Sequence, residues 1–93
     1  MIVARLIFQF HLPGCKSLKE KRFLLNSLKD RLKSRFNVAI CETGYQDKWQ
    51  RSEIGLVTIA GNRRGIDKVI QSIMTFIERE NRVVLIECEK EII

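Results

Sequence analysis

The 93-residue sequence lacks the patterns that mark several protein classes. No apolar run approaches the roughly 20 residues that a membrane-spanning helix needs, so no membrane partner is expected. Its first ten residues, MIVARLIFQF, alternate and carry Arg5 and Gln9, so they do not resemble a signal peptide and a cytoplasmic location is expected. His11 is the single histidine, so His-based metal sites and Ser-His or Cys-His catalytic pairs lack a partner.

Cysteine is also sparse. Cys15, Cys41 and Cys88 are odd in number, widely spaced and without a CxxC motif, which argues against a disulfide scaffold and a zinc site. We expect free, buried thiols, and no metal or cofactor. Cys15 lies near a predicted helix start, where the pKa of a thiol can be lowered, so a catalytic thiol is a minor alternative.

Positive charge is in excess and is concentrated in one segment. Residues 15–37 hold eight basic and two acidic residues, a net +6 that equals the net charge of the whole protein. The other 70 residues (93 minus 23) balance, with nine basic (17 minus 8) and nine acidic residues (11 minus 2). Such a segment suits a negatively charged partner.

Hydrophobic periodicity predicts six elements. Alternation predicts a strand over residues 2–12, and a capping box from Ser17 to Glu20 begins a helix of roughly 17–36 that Asn37 ends in a left-handed conformation. Two strands follow, over 38–43 and 54–60, separated by the loop GYQDKWQRSE. Asn62 opens a second helix, Asn81 breaks it, and residues 83–89 form the last strand. The buried stripe of the second helix is expected at Ile66, Val69, Ile70, Ile73 and Ile77.

The order β-α-β-β-α-β predicts one α+β domain over residues 1–93. Two split βαβ units give a ferredoxin-like sandwich, a four-stranded antiparallel sheet of order 4-1-3-2 with both helices on one face. Arg5 should then oppose Glu87 or Glu89. By alternation, the open face of the sheet should carry apolar side chains, namely Ile7, Val57, Ile59 and Leu85.

This topology brings polar residues to one end of the sheet. His11, the start of the first helix, the loop after the second strand and Arg82 should all lie there. Lys21 falls within the apolar stripe of the first helix and needs a partner. We expect an ion pair with Glu42, either as a clamp between helix and strand or as part of a ligand site. Asp47 has the simplest interpretation as a turn or salt-bridge residue.

The basic helix is the candidate nucleic-acid interface. Trp49 and Arg51 would add a stacking and a charged contact, and exposed Phe23 adds weight to a contact surface. The alternatives are a merely solvated basic face and a Trp49 that caps the core edge. The residues expected to contact phosphates are Lys16, Lys19, Arg22, Lys29 and Lys33.

Two stretches, PGCKSLKEKR and RFNVAICETGYQDKWQR, closely resemble the bacterial YlxP family, also called DUF503. The resemblance covers essentially the full chain. It implies a small cytoplasmic ferredoxin-like protein without established catalytic activity, whose gene often lies beside those of translation initiation factor two, ribosome-binding factor A and a tRNA pseudouridine synthase. The matching positions are Ser17, Leu18, Lys19, Lys21, Arg22, Phe36, Asn37, Val38, Glu42, Gln46, Asp47, Trp49 and Gln50.

The favoured function is therefore non-enzymatic binding of RNA or of the ribosome, with ribosomal RNA or a ribosomal subunit as partner. The alternative is a protein-interaction or homodimeric module that uses the open sheet face. A small-molecule regulatory domain is a further alternative. An enzyme is not expected, because an acylphosphatase-like site would need an Arg in the loop LPGCKS and an Asn on the third strand, and neither is present.

Overall fold

The computed structural model describes all 93 residues and contains four strands and two helices. The elements are β1 (Ile2–His11), α1 (Leu18–Arg35), β2 (Val38–Gly44), β3 (Arg51–Ala60), α2 (Arg63–Glu78) and β4 (Val84–Ile92). The sheet order is β2-β3-β1-β4, and every pairing is antiparallel. Read from the other edge this is 4-1-3-2, so the predicted α+β ferredoxin-like fold is confirmed.

The core lies between one face of the sheet and the two helices. Alternate residues of β1 are buried, as the period of two predicts. They pack against four leucines of α1 (Leu24, Leu25, Leu28 and Leu32) and four isoleucines of α2 (Ile66, Ile70, Ile73 and Ile77). Val69 and Phe36 are only partly buried, and Leu18 is exposed. Neither helix is long and apolar enough to cross a bilayer.

The ends of α1 differ from the predicted caps. Ser17 is the N-cap, and its hydroxyl accepts from the Glu20 amide as predicted. The Glu20 carboxylate, however, accepts from the Lys16 amide at 2.5 Å. The prediction of a left-handed Asn37 that ends the helix was wrong. Phe36 is already extended (φ −132°) and leads directly into β2. The Phe36 ring packs edge-on against Phe76, which fixes this exit.

β3 and β4 are both longer than predicted. Arg51, Ser52 and Glu53 are polar and were placed in a loop, yet they pair with His11, Phe10 and Gln9 on β1. The loop between β2 and β3 is therefore only residues 45–50. β4 continues to Ile92 because β1 offers partners as far as Ala4.

The pairing of β4 with β1, which contains a β-bulge, overturns two predictions about the open face. Gln9 pairs with Glu87 but Phe10 pairs with Leu85, so one residue of β4 is extra. Leu85 consequently turns to the core side, where it packs on the main cluster, instead of the open face. Arg5 faces Glu91, with Nη2 3.1 Å from Oε2, and does not oppose Glu87 or Glu89.

Candidate functional site

Three loops meet at the end of the sheet where β1 stops. The Leu12 backbone amide donates to the Gln50 backbone carbonyl at 2.9 Å, and the Gln50 side-chain nitrogen Nε2 donates to the Cys15 carbonyl at 3.1 Å. His11 Nδ1 lies 3.1 Å from the same Gln50 carbonyl, so this histidine ties the strand end to the loop. Arg82 lines one groove with residues of the α1 N-terminus. The predicted convergence of these segments is confirmed.

Lys21 is the buried centre of this end of the molecule, with only 1% of its surface exposed. Its ammonium lies 2.8 Å from Glu42 Oε2. It also donates to the Tyr45 carbonyl at 2.5 Å and to the Lys48 carbonyl at 2.6 Å. An ammonium has three hydrogens, and each has an acceptor here. This geometry favours a structural clamp that joins α1, β2 and the loop 45–50.

Glu42 holds the other half of the clamp. The Ser52 hydroxyl donates to Glu42 Oε2 at 2.7 Å, so this oxygen has two partners. Oε1 is buried without a hydrogen bond, and Arg22 Nη1 lies 3.8 Å away. The N-terminal part of α1 and the loop 45–50 are thus fixed relative to each other by buried charge.

The loop 45–50 displays two aromatic rings. Tyr45 has a φ of 60° and is the only non-glycine residue in the left-handed region, which turns the chain sharply after β2. The guanidinium of Arg51 lies over the Tyr45 ring, 4.7 Å from its centroid. Trp49 is 52% exposed and does not cap the core edge. With Asp47, Lys48 and Gln50 these residues line a shallow concavity of about 430 Å³.

A row of cations runs along α1 from this loop. The row consists of Lys19, Arg22, Lys29 and Lys33, with Lys16 just before the helix. Lys29 is half-buried and the others are exposed. None of the four lysines lies within ion-pair distance of a carboxylate, and Arg22 reaches only Glu42. The charge of the row is therefore available to a partner, unlike that of Arg31, which bonds to Glu80.

A second buried carboxylate, Glu80, was not singled out from the sequence. It follows α2 and accepts from Arg82, with Nε 2.9 Å from Oε1, and from Arg31 of α1. The Arg82 hydrogen bond is the main reason that the pKa of Glu80 falls from 4.5 to about 2, with Arg31 adding to it against the effect of burial. The short Glu-Asn-Arg stretch was the one feature of the sequence that could have indicated the pairing of Glu80 with Arg82.

The thiols do not form a reactive site. Burial raises the pKa of Cys15, the charge of Glu20 raises it further, and Lys21 only partly opposes this. The lowered pKa considered from the sequence is therefore wrong. Burial also raises the pKa of Cys88. Cys15 is buried, Cys88 is half-buried and Cys41 is exposed, so the expected burial holds fully only for Cys15, while all three are free as expected.

Phe23 borders a groove between the N-terminal part of α1 and the segment that holds Asn81 and Arg82. Its ring is 77% exposed, as the sequence suggested, and it lies one helical turn after Lys19 of the row of cations. The groove has a volume of about 750 Å³ and is lined by Pro13, Gly14, Cys15, Lys19, Glu20, Phe23, Leu24, Asn81 and Arg82. Both sides of the α1 N-terminus are thus accessible.

Comparison with known proteins agrees with these motifs. The family described as "Protein of unknown function (DUF503)" matches residues 3–90. The chain is also similar to the "Uncharacterized protein YlxP" of Bacillus subtilis (strain 168), with 42% identity over 62 residues, which is 67% of each chain. The chain therefore belongs to the DUF503 family.

Proposed function

We propose that the protein binds RNA through the row of cations on α1 and the exposed rings of the loop 45–50. The observation that carries this proposal is the joint placement of unpaired lysines and exposed aromatics. The Lys21–Glu42 clamp holds the loop beside the start of the row, because Lys21 bonds to Lys48 and Arg22 approaches Glu42. A polyanion with bases can use both parts at once.

In this proposal the two parts have different tasks. Lys19 and Lys33 are 14 residues apart, so the row extends for about 21 Å along the helix and can follow several phosphates. Trp49 and Tyr45 supply flat surfaces for bases, and Arg51, stacked on Tyr45, supplies a charge beside them. Such binding depends on charge and shape more than on base sequence.

The distribution of charge supports α1 over the open sheet face as the RNA side. Cross-strand neighbours on that face include Glu53, Gln9 and Glu87 in one row and Arg5 and Glu91 in another. Glu89 is exposed next to them. These carboxylates repel phosphate, so stacking on the central strands, as in an RRM, is not part of the proposal.

The proposal is for a binding protein and not for an enzyme. Cys15, the thiol next to the site, has a raised pKa, so it is mostly protonated at neutral pH and a poor nucleophile. Ribosomal RNA or a ribosomal subunit, in the cytoplasm, is the partner we propose. That choice rests on the gene neighbourhood implied by the family resemblance.

The first test is co-sedimentation with ribosomal subunits and with ribosomal RNA, at about 50 mM and 200 mM salt. The variant is Lys19→Glu/Lys29→Glu/Lys33→Glu, which leaves Arg22 in place because of its approach to Glu42. The matched control is Arg64→Glu/Lys68→Glu/Lys90→Glu, which has the same change in charge on exposed residues outside ion pairs. We expect the first variant to lose binding and the control to retain it.

The salt dependence gives a second readout. Five neutralised phosphates on single-stranded RNA predict a slope of log K against log salt of roughly −3.5. Trp49→Ala should weaken binding by about 1–3 kcal/mol if one base stacks on the ring. Equal binding by both triple variants, or a flat salt response, would contradict the proposal.

The open sheet face supports the alternative function, homodimerisation, less than the sequence suggested. Leu85 has turned to the core, and the row of Glu53, Gln9 and Glu87 separates Val84 from Val57. The exposed apolar area is therefore divided. A different surface is better suited to a second copy.

A further inference from the structure

The two edges of the sheet are protected to different degrees. β4 carries Glu87, Glu89, Lys90 and Glu91, all exposed, on one edge. Charged side chains on an edge strand oppose pairing with another chain. β2 forms the opposite edge, and its stretch 38–41 holds no charged residue. The β2 edge therefore lacks the usual protection against strand pairing.

Hydrogen bonds show which residues of β2 point their backbone outward. The Val38 amide bonds to Phe36, and the Glu42 carbonyl accepts from the Gln46 side chain at 3.4 Å, so neither group bonds to β3. In an antiparallel ladder such residues alternate with those that bond to the neighbouring strand. Ile40, midway between them, therefore directs both its N–H and its C=O outward.

We propose that a second copy of this chain pairs on the β2 edge, antiparallel, about a two-fold axis at Ile40. Each Ile40 then bonds to its counterpart through both backbone groups, and Val38 faces Glu42 of the other copy. On the open face, Ala39 lies opposite Cys41, and both are small and exposed. A two-fold pairing is self-complementary and closes, so it gives a dimer and not a filament.

This arrangement would join the two rows of cations. α1 covers the core side of β2, and Arg22 approaches Glu42 of that strand, so the row lies toward the β2 edge. Pairing sets two such rows side by side, and their repulsion opposes the dimer unless salt or a polyanion screens it. Dimerisation and RNA binding should consequently be coupled, and this second step rests on the proposed function.

Cys41 makes the pairing testable by cross-linking. In this register the two Cys41 residues are diagonal neighbours about 7–8 Å apart. A bis-maleimide of about that span should therefore link two copies through Cys41. Cys15 is buried with a raised pKa, and Cys88 is half-buried with a raised pKa, so both react more slowly. Cys41→Ser should abolish the linked dimer.

Sedimentation equilibrium on the whole protein gives the affinity. We expect wild type to dimerise, and to do so about fivefold or more tightly when polyuridylate is added. Ala39→Glu/Cys41→Glu, which sets carboxylates opposite each other across the pair, should abolish the dimer. The matched control, Val84→Glu/Ile86→Glu, adds the same charge to exposed positions on β4 and should dimerise like wild type.

The outcomes separate the two proposals. A wild type that stays monomeric with and without polyuridylate, and gives no Cys41 link, overturns the pairing, whether another chain or none occupies the edge. If that monomer still binds RNA, the proposed function stands alone. If Ala39→Glu/Cys41→Glu abolishes the dimer but polyuridylate does not change its affinity, the pairing on the β2 edge is supported. The coupling of dimerisation to RNA binding is then contradicted. A dimer unaffected by that variant uses another surface and overturns the proposal.

Discussion

Two buried carboxylates, Glu42 and Glu80, are each approached by two cations. Their side chains are almost equally buried, with 6% and 7% exposed. The partners differ. Lys21, the main partner of Glu42, is itself fully buried, whereas Arg31 and Arg82, which hold Glu80, have 42% and 46% of their side chains in solvent.

The difference shows that the number of ion pairs around a carboxylate does not determine how much stability is lost when one of them is broken. A half-exposed arginine that loses its carboxylate is hydrated at little cost. A buried lysine that loses its carboxylate, or a carboxylate that loses its lysine, leaves a charge in a poorly solvated site. Glu42 therefore carries a large penalty for disruption, while Glu80 supplies a stability that depends on pH.

The largest effect should follow from Lys21→Met. The substitution leaves Glu42 buried without its main partner and removes the bonds to Tyr45 and Lys48. We expect the free energy of unfolding to fall by about 3–5 kcal/mol in urea denaturation. The loop 45–50 should also lose protection from hydrogen exchange.

The control for this substitution is Lys19→Met, two residues away and exposed. It should change stability by less than about 0.5 kcal/mol. The double variant Lys21→Met/Glu42→Leu, which removes both charges, should be less unstable than Lys21→Met alone. A loss below about 1 kcal/mol for Lys21→Met would show that water reaches Glu42 and that the clamp is not a dry ion pair.

An intermediate effect is expected for Glu80 on acidification. Its pKa is lowered to about 2 in the folded protein, so the unfolded chain takes up the proton first as pH falls. The stabilisation is complete above about pH 5 and is lost progressively toward pH 2. The shift corresponds to about 3 kcal/mol, which screening around the half-exposed arginines reduces to about 2 kcal/mol.

Urea denaturation of wild type and Glu80→Gln at several pH values measures this contribution. The variant is less stable than wild type at pH 7, and the gap should close as pH falls from about 5 to about 2. Arg5→Gln is the control, because it breaks an ion pair between exposed side chains and leaves Glu80 intact. A gap that stays constant with pH would assign the effect of Glu80→Gln to packing instead of charge.

The smallest effect should come from the exposed pair of Arg5 and Glu91. Its oxygen and nitrogen are 3.1 Å apart, similar to the contacts of Glu42, but about half of each side chain is in solvent. Arg5→Ala should cost less than about 0.5 kcal/mol in the same denaturation experiment. A cost near that of Lys21→Met would mean that distance, and not burial, determines the strength of these pairs.

Much of this architecture could be predicted from local patterns. The alternation in β1 identified its buried side chains, and the 3.6-residue spacing in α2 identified four buried isoleucines. The Lys21–Glu42 contact was also predictable, because a lysine within an apolar stripe requires a partner and topology left Glu42 within reach. Each of these inferences needed only one element, or two that the connectivity places together.

The wrong predictions concern positions whose structure is set by contacts with residues far away in the sequence. Ser52 and Glu53 look like loop residues until β1 offers them pairing partners. The bulge at Gln9 and Phe10 reversed the face of Leu85, and the register of β4 against β1 placed Glu91, not Glu87 or Glu89, opposite Arg5. Glu80 was missed because Arg31 reaches it from 49 residues away in sequence.

The sequence by itself determined the element order, the topology, the buried faces and the segregation of positive charge on α1, because periodicity and capping are local properties of the chain. Only the tertiary structure decided the length and register of β3 and β4, the cluster around Glu80 and the depth at which the Lys21–Glu42 pair is buried. Strand register and ion-pair burial depend on which distant groups exclude water from a given position, and no local spacing encodes that.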